Sequence, residues 1–177
     1  MNSRSIDDVY EKNAAASERM KAFLGSIEQT RLDALPKGEK WTIANIAEHV
    51  SMVEAGIVRI CEKLLSKAES ENQTSDGTIA MSESFGQKAA EIALIKLEAP
   101  EFVHPSGEKS IEEVMEKFAE NQEKLLELKP MFEKFDSSGH RFPHPYLGDL
   151  SAGEWLILVG GHKIRHFKQM ERLADRI

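Results

Sequence analysis

Between residues 43 and 64 an apolar side chain returns at every third or fourth position: Ile43, Ile46, Val50, Val53, Ile57, Ile60 and Leu64. That spacing follows the 3.6-residue turn of an α-helix and lines the side chains up as one long stripe. A stripe of this length must be buried against other helices. The segment also has a start signal, because Thr42 can cap the first free N–H groups while Trp41 packs on Ile46 as a hydrophobic staple. The expected helix runs to about residue 67.

Three further segments carry the same period. Residues 7–35 place Tyr10, Met20, Phe23, Leu24 and Ile27 on one side and stop before Pro36 and Gly38. The run SIEE at 110–113 is a capping box, followed by Ile111, Val114, Phe118, Leu125 and Leu128 facing inward before Pro130. SAGE at 151–154 is another, with Leu150 and Trp155 as its staple, and opens a last helix through about residue 175. No segment shows a strand alternation closed by hairpin turns. Residues 68–109 lose regularity, with a short helix expected in GQKAAEIALIK at 86–96, and residues 135–149 form a second irregular stretch. The expectation is all-α: an antiparallel up-and-down four-helix bundle with irregular crossing segments, one domain over residues 1–177.

Charge and cysteine usage narrow the function classes. Thirty acids against 23 bases leave a net charge of −7, which argues against phosphate backbones and anionic membranes as partners. DNA binding is further disfavoured by the lack of a basic recognition helix. The single cysteine, Cys61, has no internal disulfide partner, and the N-terminus holds acids where a signal peptide needs an apolar run. The longest strongly apolar stretch, WLILVGG, is far shorter than the ~20 residues that span a bilayer. A cytoplasmic protein is expected.

The chemistry gathers on the last helix. At 100° per residue, Trp155, Val159, His162, His166, Met170 and Leu173 share one face, while Lys163, Arg165, Lys168, Glu171 and Arg172 spread over the remainder. Two imidazoles one turn apart on an inward face each need a hydrogen-bond partner or a metal, since an unsatisfied buried polar group costs about 1–3 kcal/mol. Their spacing allows both ring nitrogens to converge on one ion, or each ring to be satisfied independently. His49, at the edge of the second helix's stripe, is a candidate third ligand. Three neutral imidazoles leave coordination positions open, as in a catalytic rather than a structural site. A zinc finger is excluded for want of thiols, and the di-iron motif Glu-x-x-His occurs only at Glu101 and His104, between Pro100 and Pro105.

WTIANIAEHV opening the second helix, APEFVHPSG before the third and HPYLGDLSAGEWLILVGGHKIRHFKQMERL at the end together resemble the DinB-like superfamily of four-helix proteins. That group includes bacillithiol S-transferases, and the resemblance covers most of the chain. It implies a divalent metal held by His49, His162 and His166, often a homodimer, and a low-molecular-weight thiol activated on the metal as nucleophile. The expected function is therefore a metal-dependent thiol S-transferase or hydrolase acting on a small molecule, through a metal-bound water or thiol. The alternative is a non-catalytic bundle that binds a small ligand or partner. Zinc, nickel or iron all suit imidazole ligands.

Other residues have weaker readings. His144 is expected to rim the pocket or to bond within its loop, and His104 and His140 to be loop residues. Glu48, about 100° from His49 on the helix, is read as solvated. Asn121 and Gln122 line a cavity or edge the core, and Cys61 is a small buried hydrophobe. Gly160 and Gly161 cost helix stability, and Gly161 is expected either to admit a close neighbouring helix or subunit or to be simply tolerated.

Overall fold

The helix starts legible in the sequence are formed by side-chain caps. In the computed structural model, which describes residues 2–93, 95 and 97–177, the hydroxyls of Thr42, Ser110 and Ser151 each accept a backbone N–H three residues on. Asn45, Glu113 and Glu154 accept the cap N–H in return, closing three capping boxes. The chain runs β1 (Asn2–Ser5), α1 (Ile6–Ser26), α2 (Gln29–Leu32), α3 (Ile43–Ser70), β2 (Thr78–Met81) and α4 (Glu83–Ala93). A 3-10 turn at Glu101–Val103 precedes α5 (Ile111–Lys134), β3 (Arg141–His144), β4 (Gly148–Ser151) and α6 (Ala152–Ala174).

The long helices α1, α3, α5 and α6 make the expected all-α four-helix bundle, α3 and α1 each packing between α5 and α6. Side-chain contacts give their directions. His49 meets His162 while Cys61 bonds Ala152, so α3 and α6 are antiparallel. Tyr10 and Lys21 bond Leu125 and Gln122, which makes α1 and α5 antiparallel as well. Asn13 bonds Leu156 and Ser17 bonds Lys163, so α1 and α6 run the same way. Asn121 bonds Ser51, and beyond both helices Thr74 bridges Phe135, so α3 and α5 also run the same way. The simple alternation of an up-and-down bundle thus gives way to up, down, down, up. The long crossing over residues 71–110 makes this feasible, because it carries the chain back along the bundle before α5 begins.

Element boundaries differ from the sequence reading at several places. The first helix ends at Ser26, not near residue 35: Gly25 weakens it, Ser26 turns its hydroxyl back to the Phe23 carbonyl, and Ile27 is extended. Helix α5 continues through Pro130 to Lys134. Pro130 is exposed, so the carbonyl it leaves without a donor, on the exposed Leu126, faces water. Two antiparallel ribbons, β1 with β2 and β3 with β4, occupy segments expected to be irregular. Each strand has only four residues, too few for a two-residue period to emerge. The short helix expected at 86–96 begins earlier, at Glu83, and residues 94 and 96 of that expectation lie outside the described residues.

The core has two apolar clusters. One gathers Tyr10, Ile57, Leu65, Phe132, Trp155 and Leu156; the other gathers Met20, Ile46, Phe118, Phe167 and Met170. Between them lie buried polar residues, Asn13, Ser17, Ser51, Glu54, Asn121 and Lys163. Lys163, expected on the outer face, is instead 1% exposed and donates to Glu54 Oε1 at 2.6 Å and to Ser17 Oγ. Burial opposes both charges, and each partner offsets that penalty for the other.

Close approach falls on Gly160 rather than on Gly161. A Cβ on Gly160 would lie 2.5 Å from Asn13 Oδ1, whereas Gly161 is exposed with nothing within 4 Å. Gly160 therefore lets α1 press against α6 just before the histidines. No helix among the described residues is long and apolar enough to cross a membrane.

Candidate metal centre

Packing α3 against α6 brings three imidazoles together. His49 lies in the second turn of α3, and His162 and His166 lie one turn apart on α6, at the border of its buried stripe. Ring centroids are 5.3 Å apart for His49 and His162, 5.0 Å for His49 and His166, and 4.4 Å for His162 and His166. One nitrogen from each ring lies within 4.8 Å of the other two. Three ligands at ~2.1 Å on a tetrahedral ion stand about 3.4 Å apart, so the rings need only small movements to share one ion.

Hydrogen bonds orient two of the rings. The Nδ1–H of His49 donates to the Val103 carbonyl at 2.8 Å, and His166 Nδ1–H donates to Gln169 Oε1 at 2.9 Å. Both leave Nε2 with its lone pair, the arrangement that metal-binding histidines adopt. Neither ring nitrogen of His162 has a hydrogen bond among the described residues. Burial, then the neighbouring His166 and His49, holds the His162 pKa well below the usual histidine value. Burial and His49 push His166 down to about 3, and burial lowers His49. All three rings are thus neutral donors at neutral pH, and the donor set fits a borderline divalent ion.

The pattern of the DinB superfamily matches residues 13–170, a span that includes all three histidines. The chain belongs to the DinB superfamily. It is similar to the uncharacterized protein YuaE of Bacillus subtilis (strain 168), 21% identical over 154 residues that make up 87% of this chain and 90% of that one. Among solved structures it is similar to TT2238, described as a four-helix bundle protein, with a TM-score of 0.63 and 22% identity over 95% of this chain and 99% of that one. The likeness to TT2238 is one of fold.

In this DinB-superfamily chain the remaining candidates separate clearly. His144 ends β3, with its ring 5.2 Å from that of Trp155 and near enough to oppose a charge on His162. Its Nδ1 accepts the N–H groups of Tyr146 and Leu147, both at 3.1 Å, so the ring proton resides on Nε2. Burial lowers its pKa to about 4. His104 is drawn into its own loop, with Nε2–H donating to the Ala99 carbonyl, and His140 pairs with Glu71. Asn121 edges the core, donating to the Ser51 carbonyl, and Gln122 accepts from Lys21. Cys61 is fully buried, which raises its pKa far from the reactive range. Arg165 spends its guanidinium on the carbonyls of Ile92 and Ile95, each at 2.8 Å, and so ties the crossing segment to α6.

Glu48 corrects the sequence reading. It is 5% exposed rather than solvated, and its carboxylate accepts Ser106 N–H, Ser106 Oγ–H and Gly107 N–H at 3.0, 2.7 and 3.0 Å. The turn it meets, Ser106 and Gly107 after Pro105, is legible as a turn in the sequence. Its partner is not, because 58 residues separate Ser106 from Glu48.

Proposed function

We propose that this chain is a divalent-metal-dependent enzyme in which His49, His162 and His166 hold the ion, acting on a small molecule as a thiol S-transferase or hydrolase. The observation that carries the reading is the convergence of three neutral imidazoles, two of them oriented through Nδ1 so that Nε2 points free. When bound, a divalent cation on three neutral donors keeps its charge and lowers the pKa of a coordinated water or thiol. Zinc, nickel and iron all suit the donor set.

The chain's own groups supply the rest. Trp41, with its ring 5.0 Å from that of His49 and 5.7 Å from that of His104, flanks the histidines on the side of the 3-10 turn. His144 holds its proton on Nε2, a neutral donor beside His162 that can bond an anionic or carbonyl oxygen of a substrate. A low-molecular-weight thiol as co-substrate and a homodimeric assembly belong to the same reading, both drawn from the superfamily resemblance.

The test is native metal analysis of wild type beside His162→Ala after chelator-free purification, followed by cobalt substitution. About one metal per wild-type chain is expected, with a clear loss in the variant and a cobalt spectrum that changes when small thiols are added. Metal content far below one per chain in wild type, or the same in both proteins, overturns the assignment.

A further inference from the structure

We propose that Glu48 is a positioning residue for the histidine site, acting on His49 through the turn that it clamps. The inference rests on the reading of His49 as a ligand through Nε2. Three donors converge on the Glu48 carboxylate, and all come from Ser106 and Gly107. Three residues earlier in the chain, the Val103 carbonyl accepts the Nδ1–H of His49, the residue next to Glu48. One loop is therefore held at two points by adjacent residues of α3.

The link between the two points is short and stiff. Consecutive Cα atoms are 3.8 Å apart, so Val103 and Ser106 are at most about 10–11 Å from each other however the chain is stretched. Pro105 lies between them and Pro100 precedes the 3-10 turn, each fixing its own φ. The turn bonds internally as well, with Val103 N–H donating to Pro100 and His104 N–H to Glu101. Gly107 has φ +74°, and a Cβ there would lie 3.4 Å from Nδ2 of Asn45, the capping residue one turn before Glu48. The Ser106 and Gly107 N–H groups meet the same carboxylate, one on each oxygen.

The consequence is a fixed tautomer. A carbonyl can only accept, so a Val103 oxygen held against Nδ1 keeps the ring proton on that nitrogen and leaves Nε2 bare. Free histidine has no such constraint. Glutamine in place of Glu48 offers one accepting oxygen and an NH2 group that opposes a backbone donor, so part of the clamp is lost without change of size.

The experiment measures the imidazole nitrogens of the metal-free protein by 15N NMR at neutral pH, in wild type, Glu48→Gln and Ser106→Ala. His166 is the internal reference, because Gln169 rather than this loop holds its Nδ1. In wild type, both rings should be Nδ1–H. In Glu48→Gln, His49 should become a mixture of the two tautomers while His166 does not change, and zinc(II) affinity should fall about 10-fold to 100-fold. Ser106→Ala, which removes one donor and spares the carboxylate, should move both readouts in the same direction by less. If Glu48→Gln fails to fold, Ser106→Ala carries the test. An unchanged His49 tautomer, or equal changes at His49 and His166, overturns the proposal. Should wild type bind no zinc, the functional reading falls, and the tautomer comparison still decides the role of Glu48.

Discussion

Alanine at Gly160 and at Gly161 should have opposite effects on stability. Glycine inside a helix is about 1 kcal/mol worse than alanine, so each substitution begins with a similar gain. At Gly161 nothing lies within 4 Å of the new methyl, and the gain of about 0.5–1 kcal/mol should appear in full. At Gly160 the methyl would lie 2.5 Å from Asn13 Oδ1, and Asn13 is 7% exposed, with Nδ2 donating to the Leu156 carbonyl at 2.9 Å. Asn13 must swing away and leave a buried amide unsatisfied, at a cost of about 1–3 kcal/mol. The net is a loss of about 0–2 kcal/mol, and the two alanine variants should differ by about 1–3 kcal/mol. Urea unfolding of metal-free protein measures this without a contribution from ligand binding. The cause is isolated by repeating Gly160→Ala in an Asn13→Ala background, where the obstacle is absent and the substitution should stabilise. A Gly160→Ala variant as stable as Gly161→Ala, or one whose cost persists without Asn13, would refute the argument that α1 presses on α6 through this glycine.

Two other outcomes follow from buried charge. Lys163→Met leaves Glu54 buried beside an apolar side chain and should destabilise by about 3–5 kcal/mol, while Lys163→Met combined with Glu54→Gln should recover much of that loss; a single variant as stable as wild type in urea would show that the pair is not needed to neutralise Glu54. The second concerns pH. His166 is lowered from 6.5 to about 3 in the folded protein, so the unfolded chain takes up protons that the folded chain refuses. Metal-free stability is then full above pH 6.5 and declines as pH falls towards 3, by up to about 1.4 kcal/mol per pH unit for this ring. A His166→Phe variant should show a shallower slope over that window, and equal slopes would place the ring in water.

Local signals in the sequence were reliable where their cause is local. The caps at Thr42, Ser110 and Ser151 depend on residues three apart, and each formed, the one at Thr42 with a reciprocal bond from Asn45 that the sequence reading did not include. The inward face of α6 was legible for the same reason, because the helical period alone puts His162 and His166 on one side. Strands of four residues carry too little pattern to be read, and Pro130 misled because its effect depends on whether the carbonyl it orphans is wet. Gly25 and Ser26 end α1 although the apolar spacing continues past them to Ile27.

What the amino-acid sequence by itself determined is the set of long helices, their starts, and the face that each turns to the core, since caps and periodicity act within a turn or two of chain. Tertiary structure alone decided how those faces meet. It set α3 beside α6 so that His49 joins His162 and His166, ran α3 and α5 the same way, and buried Lys163 on Glu54. It also turned Glu48 from a surface position into the anchor of a loop 58 residues away. The physical reason is common to all of these. A helical wheel gives a residue's direction from its own axis, whereas burial and partnership depend on what the other helices and crossing segments place along that direction.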